Sequence, residues 1–189
     1  MKIELKNLEV NLRFSEETTM FQADIVVEGK KVAYAQNDGR GGETYYHTYS
    51  GKSKKEFQDN LKILEQAEAY CETLPDDTFT YDHNGEIRTM ELKRTLTYVL
   101  DELVEKSIQD KETKKFQKKL QKDMEKYICY TQHPETLESY GVVGAKKKDQ
   151  FSLQQIANNP RIKEAVREHV RGLKLKGYII LNQNCPEVL

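Results

Sequence analysis

Residues 26–50 read VVEGKKVAYAQNDGRGGETYYHTYS, and their interpretation decides the fold. Val26-Val27 and Val32 to Ala35 suit β-strands, and Glu28-Gly29-Lys30 between them supplies the turn a hairpin needs. Asn37-Asp38-Gly39-Arg40-Gly41-Gly42 then packs three glycines, one Asn, one Asp and one Arg into six residues. Glycine adopts backbone angles that a Cβ forbids, so this loop is predicted to turn its amides onto a ligand. Tyr45, Tyr46, His47 and Tyr49 follow on a further strand.

Upstream, Ile3 and Leu5 alternate, and Leu8, Val10, Leu12 and Phe14 alternate on the opposite parity. Strand periodicity is two, so the change near Lys6-Asn7 predicts a bulge or bend. Phe21, Ala23, Ile25 and Val27 alternate cleanly. The result is a four-stranded antiparallel meander with one apolar face. Downstream, Ser53-Lys54-Lys55-Glu56 is a capping box. Phe57, Leu61, Leu64, Ala67, Cys71 and Leu74 then follow at helical spacing until Pro75, predicting a helix over 53–74 that covers the meander.

Thr78 to Tyr81 supports a short strand at most, and Asn84-Gly85 is a turn signal. No Pro or Gly interrupts Met90 to Tyr127, which predicts one long helix or two broken near Asp110. Its apolar stripes (Leu92, Leu96, Val99, Leu103, then Phe116, Leu120, Met124, Tyr127) invite a partner helix and favour a homodimer. Short strands are expected at 128–130 and 140–143. A capped helix is expected at 153–158, a second starting at Asn159-Pro160, and a last buried strand at 178–181. The fold class is therefore α+β: residues 1–89 form meander plus capped helix, and residues 90–189 are mainly helical, within one compact domain.

The 30 Lys/Arg and 31 Asp/Glu leave a net charge of −1, which argues against a dedicated DNA-binding protein and against an acidic DNA mimic. Residues 1–90 carry a net charge of −6 and residues 91–189 one of +5. Cys71, Cys129 and Cys185 share no close spacing, and no apolar run approaches membrane length, so a protein of a reducing cytoplasm is expected.

The site expected to bind a ligand is Asn37, Asp38, Gly39, Arg40, Gly41 and Gly42, with Tyr45, His47 and Tyr49 on one face of the next strand. Amides and Arg40 would hold an anion, and the rings would stack on a base. Loops of this kind are usually plain hairpin turns, and Tyr is also simply a good strand former on the polar face of a sheet. No His or Cys pair has metal-ligand spacing, so neither metal nor cofactor is expected, and a binding protein is favoured over an enzyme. Were it a hydrolase, His47 and Asp38 would be the local general-base candidates. The lysines of 111–126 alternate with acids as on a solvated helix face, and sequence-specific nucleic-acid recognition is disfavoured.

Phe21-Gln22-Ala23-Asp24-Ile25, Gly29-Lys30-Lys31-Val32-Ala33 and the 37–42 loop together resemble small uncharacterised accessory proteins of phages and prophages. The similarity runs loosely into the capped helix and Ile179-Ile180-Leu181-Asn182. The resemblance carries no catalytic residues to transfer. It implies a compact protein in the host cytoplasm that sequesters or blocks something the host makes. Phage proteins that bind nucleotide immune signals are one such class, and inhibitors of host proteins are the alternative.

Overall fold

The computed structural model describes residues 1–144 and 150–183. The basic run 146–148 and Cys185 lie outside them. The fold is α+β, and the chain divides into two compact units, residues 1–109 and 110–189.

The first unit opens with the antiparallel meander β1 (Ile3–Val10), β2 (Phe21–Val27), β3 (Lys30–Asn37) and β4 (Tyr45–Thr48), in that spatial order. Glu28 and Gly29 both have positive φ, so β2 and β3 join through a two-residue turn whose twist matches the strands. The predicted irregularity in β1 is present: the register shifts between Lys6 and Glu9, with Asn7 at φ 51°. A second shift lies between Ile25 and Val26.

α1 (Lys54–Glu72) begins where Ser53 Oγ accepts the Glu56 amide, and its Leu64, Ala67 and Cys71 are buried against the sheet. The core also takes Leu96, Leu100 and Val104 from the start of α2 (Leu96–Lys126), so two helices cover the face that one was predicted to cover. The division between units falls inside α2. Between α1 and α2 lies a hairpin, β5 (Asp77–His83) and β6 (Glu86–Leu92), turning at Asn84-Gly85 with φ 58° and 86°. Residues 90–92 thus belong to a strand, not to the long helix predicted from Met90. α2 is a single helix, without a break at Asp110.

The second unit packs β7 (Cys129–Thr131) between β8 (Gly141–Val142) and β9 (Ile179–Ile180). α3 (Leu153–Asn158) carries the predicted capping box, and α4 (Pro160–Leu175) is capped by Asn159. Val166, Val170 and Leu173 of α4 join Ile128, Val143 and Ile156 in a second core. Asn182 ties this unit together: its Oδ1 accepts the Cys129 amide at 2.6 Å, and its Nδ2 donates to the Met124 and Tyr127 carbonyls, both at 2.8 Å. Burial and the charge of Asp123 push the Cys129 thiol up to about 12, which leaves it unreactive at neutral pH. Tyr178–Leu181 is less buried than predicted, since Ile179 is exposed.

Candidate functional site

The glycine loop is built around one buried side chain. Asn37 is only 5% exposed. Its Oδ1 accepts the Thr18 hydroxyl at 2.8 Å and the Gly39 amide at 2.9 Å. Its Nδ2 donates to the Gly42 carbonyl at 3.0 Å and to Thr44 Oγ1 at 3.2 Å. The Arg40 amide donates to Asp38 Oδ1 and the Gly41 amide to Thr18 Oγ1, both at 3.2 Å. The amides of Gly39, Arg40 and Gly41 are therefore already satisfied within the protein. The predicted cradle of free amides in this loop is not what forms.

A cradle does form in the facing segment, and the protein fills it itself. The amides of Glu16, Glu17 and Thr18 all donate to the Gly39 carbonyl, at 2.8, 3.2 and 3.4 Å. Gly39 sits at φ 82°, and a Cβ there would come within 2.9 Å of both Met20 Cβ and the Phe14 carbonyl. Glycine is required by this close approach of two backbones. The Arg40 side chain, by contrast, is exposed and makes no ion pair among the described residues.

Two hollows flank the loop. One, of about 430 Å³, is lined by Glu16, Glu17, Asp101 and Glu105 around Phe21 and Val104. Thr44 Oγ1 donates to Asp101 Oδ1 at 2.5 Å. Desolvation and the charge of Glu105 push the Asp101 carboxyl above the ordinary range, against the pull of the Thr44 hydrogen bond. Four carboxylates repel an anion, so this hollow does not suit a phosphate. The other, of about 380 Å³, lies at the end of the sheet and is lined by Val10, Met20, Phe21, Gln22, Gln36 and Asp38, among others.

The second hollow opens beside the sheet face that the helices leave bare. Registers Gln22↔Gln36, Tyr34↔His47 and Gln36↔Tyr45 place these side chains side by side on it. The Tyr34 hydroxyl donates to Gln22 Oε1 at 2.8 Å, and Gln22 Nε2 donates to Glu9 Oε2 at 2.6 Å. Gln36 Nε2 donates to the Tyr45 hydroxyl. The Tyr45 and His47 rings meet edge to face at 5.8 Å, and both are exposed. Tyr46, of opposite parity, points into the core side and donates to Glu68 Oε1 at 2.7 Å; burial and Glu68 push its phenol up.

Tyr49 lies on the same face but is tied down there. Its hydroxyl donates to Asp24 Oδ1, and the Lys31 ammonium lies 4.5 Å from its ring centre. Asp24, 6% exposed, also accepts Asn7 Nδ2 at 2.6 Å and pairs with Lys31 at 2.7 Å. Desolvation raises this carboxyl, but the hydrogen bonds from Lys31, Tyr49 and Asn7, with the Lys31 charge, outweigh it and hold the carboxyl below its ordinary 3.8. A folded-state pKa below the unfolded one adds stability that is complete above the unfolded value and is lost as pH falls through the folded value. Urea melts from about pH 5 down to about pH 2 are therefore expected to show stability falling more steeply in the parent than in Asp24→Asn. Parallel acid limbs would show that this cluster contributes nothing.

The structure thus splits the predicted site. Asn37 and Gly39 are scaffold, Gly41 and Gly42 close the loop, Asp38 and Arg40 stand at its surface, Tyr45 and His47 face out, and Tyr49 is tied down. Gln22, Tyr34 and Gln36 were not singled out from the sequence, although counting cross-strand register from the Glu28-Gly29 turn would have found them. Among the described residues, no three His, Cys, Asp or Glu side chains are grouped to hold a metal ion. No family model, curated protein or solved structure matches the chain.

Proposed function

We propose that this chain is a non-enzymatic binding protein that captures a small ring-bearing ligand of nucleotide type on the bare face of β3 and β4. The supporting observation is that Tyr34, Tyr45 and His47 share a sheet face with Gln22 and Gln36, and that these two glutamines line a hollow of about 380 Å³. Rings offer a stacking platform, carboxamides can read the polar edge of a base, and the volume falls within the range of small-ligand sites. Arg40, on the loop leading into β4, supplies one cation with a planar fork for a single phosphate. The surrounding unit carries 14 Lys/Arg against 21 Asp/Glu, so a long polyanion is disfavoured and a small ligand is not. In the phage setting that the sequence resemblance implies, such capture would withdraw an immune signal made by the host.

The test is a thermal-shift panel of mononucleotides, cyclic nucleotides, cyclic oligonucleotides and ADP-ribose derivatives. A ligand at about 100 times its dissociation constant adds roughly 2.7 kcal/mol of stability. Tyr45→Ala is expected to weaken binding by about 1–3 kcal/mol through lost stacking. Arg40→Ala is expected to weaken it by about 1.5–3 kcal/mol through lost charge-assisted hydrogen bonds, with the free protein melting as before. Chromatography of the released compound separates capture from hydrolysis. Silence across the panel, or full binding by both variants, would defeat this reading. The second reading, an inhibitor that blocks a host protein, is favoured by the groove of Glu16, Glu17, Asp101 and Glu105, which suits a basic side chain of a partner.

A further inference from the structure

The β5–β6 hairpin is a two-stranded ribbon with no fully buried residue along either strand. Its base is pinned by Asp77, which accepts the Tyr98 hydroxyl at 2.8 Å and pairs with Arg94 at 3.5 Å. Beyond that base the ribbon exposes large apolar side chains: Phe79 is 53% and Met90 47% exposed on one face, and Ile87 is exposed on the other. Register places Phe79 opposite Met90, and the Phe79 and Tyr81 rings stack at 6.2 Å on the same face. A lone ribbon is marginally stable in water, so an uncovered row of this kind gains by being covered. Residues 77–92 carry four Asp/Glu against one Arg.

A surface of matching chemistry exists in residues 110–189. A groove of about 480 Å³ has Leu120, Met124 and Leu181 as its apolar part, with Gln117, Gln121, Glu125 and Gln183 around them. The stretch 111–126 that forms much of it carries seven Lys against three acidic residues. Apolar floor meets apolar row, and a helix stretch of net positive charge meets an acidic ribbon.

We propose that the Phe79–Met90 face of the hairpin in one copy of the chain docks into the Leu120–Met124–Leu181 groove of a second copy. The two surfaces differ, so the contact is head to tail. A single ribbon covers little area, so the association is reversible and depends on concentration. The opposite net charges of helix stretch and ribbon make it weaken with salt.

Sedimentation velocity tests this with the full chain and two variants at exposed positions. The hairpin variant is Phe79→Ser with Met90→Ser, and the groove variant is Gln117→Glu with Gln121→Glu. The parent is expected to associate at high concentration in low salt and to dissociate in high salt. Each variant alone is expected to sediment as a single chain. An equimolar mixture of the two is expected to regain association, because the groove variant keeps its hairpin and the hairpin variant keeps its groove; that recovery also requires both to be folded. A parent that stays a single chain in low salt overturns the proposal. So does a hairpin variant that associates like the parent, or a mixture that remains dissociated. A groove variant that associates like the parent overturns it too, and shows that the ribbons meet some other surface.

Discussion

Asn37→Ala is expected to cost roughly 2–4 kcal/mol of folding stability, far more than its solvent contact would suggest. The side chain makes four hydrogen bonds, to Thr18, Gly39, Gly42 and Thr44, in a place almost closed to water. Truncation leaves the Gly42 carbonyl and the Gly39 amide without these partners, and a stranded buried polar group costs about 1–3 kcal/mol. Asn37→Asp keeps the acceptor but turns an oxygen toward the Gly42 carbonyl, so it is expected to destabilise as well. Denaturant melts measure both. Asn37→Ala within about 0.5 kcal/mol of the parent would mean that the loop is organised by something else. Arg40→Ala, by contrast, is expected to be silent in the free protein, because its side chain is exposed and makes no ion pair among the described residues.

Leu100→Ala is expected to destabilise residues 1–109 by about 2–5 kcal/mol. Leu100 is fully buried in α2 and shares its cluster with Ile25, Val32 and Ala35 of the sheet and Leu64 and Ala67 of α1. Removing its branched end leaves a cavity that three elements must collapse to fill. Hydrogen exchange reads the consequence element by element. Amides of β2, β3 and α1 are expected to lose protection together with the first turns of α2. Loss confined to α2 would show that the helix start is not part of the meander core.

These two cases show where the sequence was informative. The meander was legible because its apolar residues alternate with period two and its turn carries a glycine at positive φ. α1 was legible from its capping box and its 3.6-residue spacing. The start of α2 was misplaced for a physical reason: Leu92 continues the four-residue spacing of Leu96 and Leu100 and no Pro or Gly follows Gly85 there, so the end of the strand β6 reads as helix. Pairing between β5 and β6 decided the matter, with Asn84-Gly85 as the turn that closes them.

The candidate site was legible only in part. Glycine content announced an unusual loop, but nothing local says which groups take up its amides. Thr18, about 20 residues upstream, satisfies Gly41 and helps to hold Asn37, and the Gly39 carbonyl is claimed by residues 16–18. Those are tertiary contacts that spacing cannot reveal. Parity did place Tyr45 and His47 on one face. Tyr49 shares that parity, and its hydroxyl and ring are taken up by Asp24 and Lys31, long-range partners that spacing does not reveal.

The claim that the bare sheet face, rather than the glycine loop's amides or the acidic groove, is the ligand surface is tested most directly by nitrogen–proton NMR correlation spectra recorded across the nucleotide panel. The predicted result is a compound whose addition moves the amide signals of Gln22, Tyr34, Gln36, Tyr45 and His47, with Arg40 following when a phosphate is present. The contradicting result is a spectrum that no compound moves, or shifts that gather instead at Glu16, Glu17, Asp101 and Glu105.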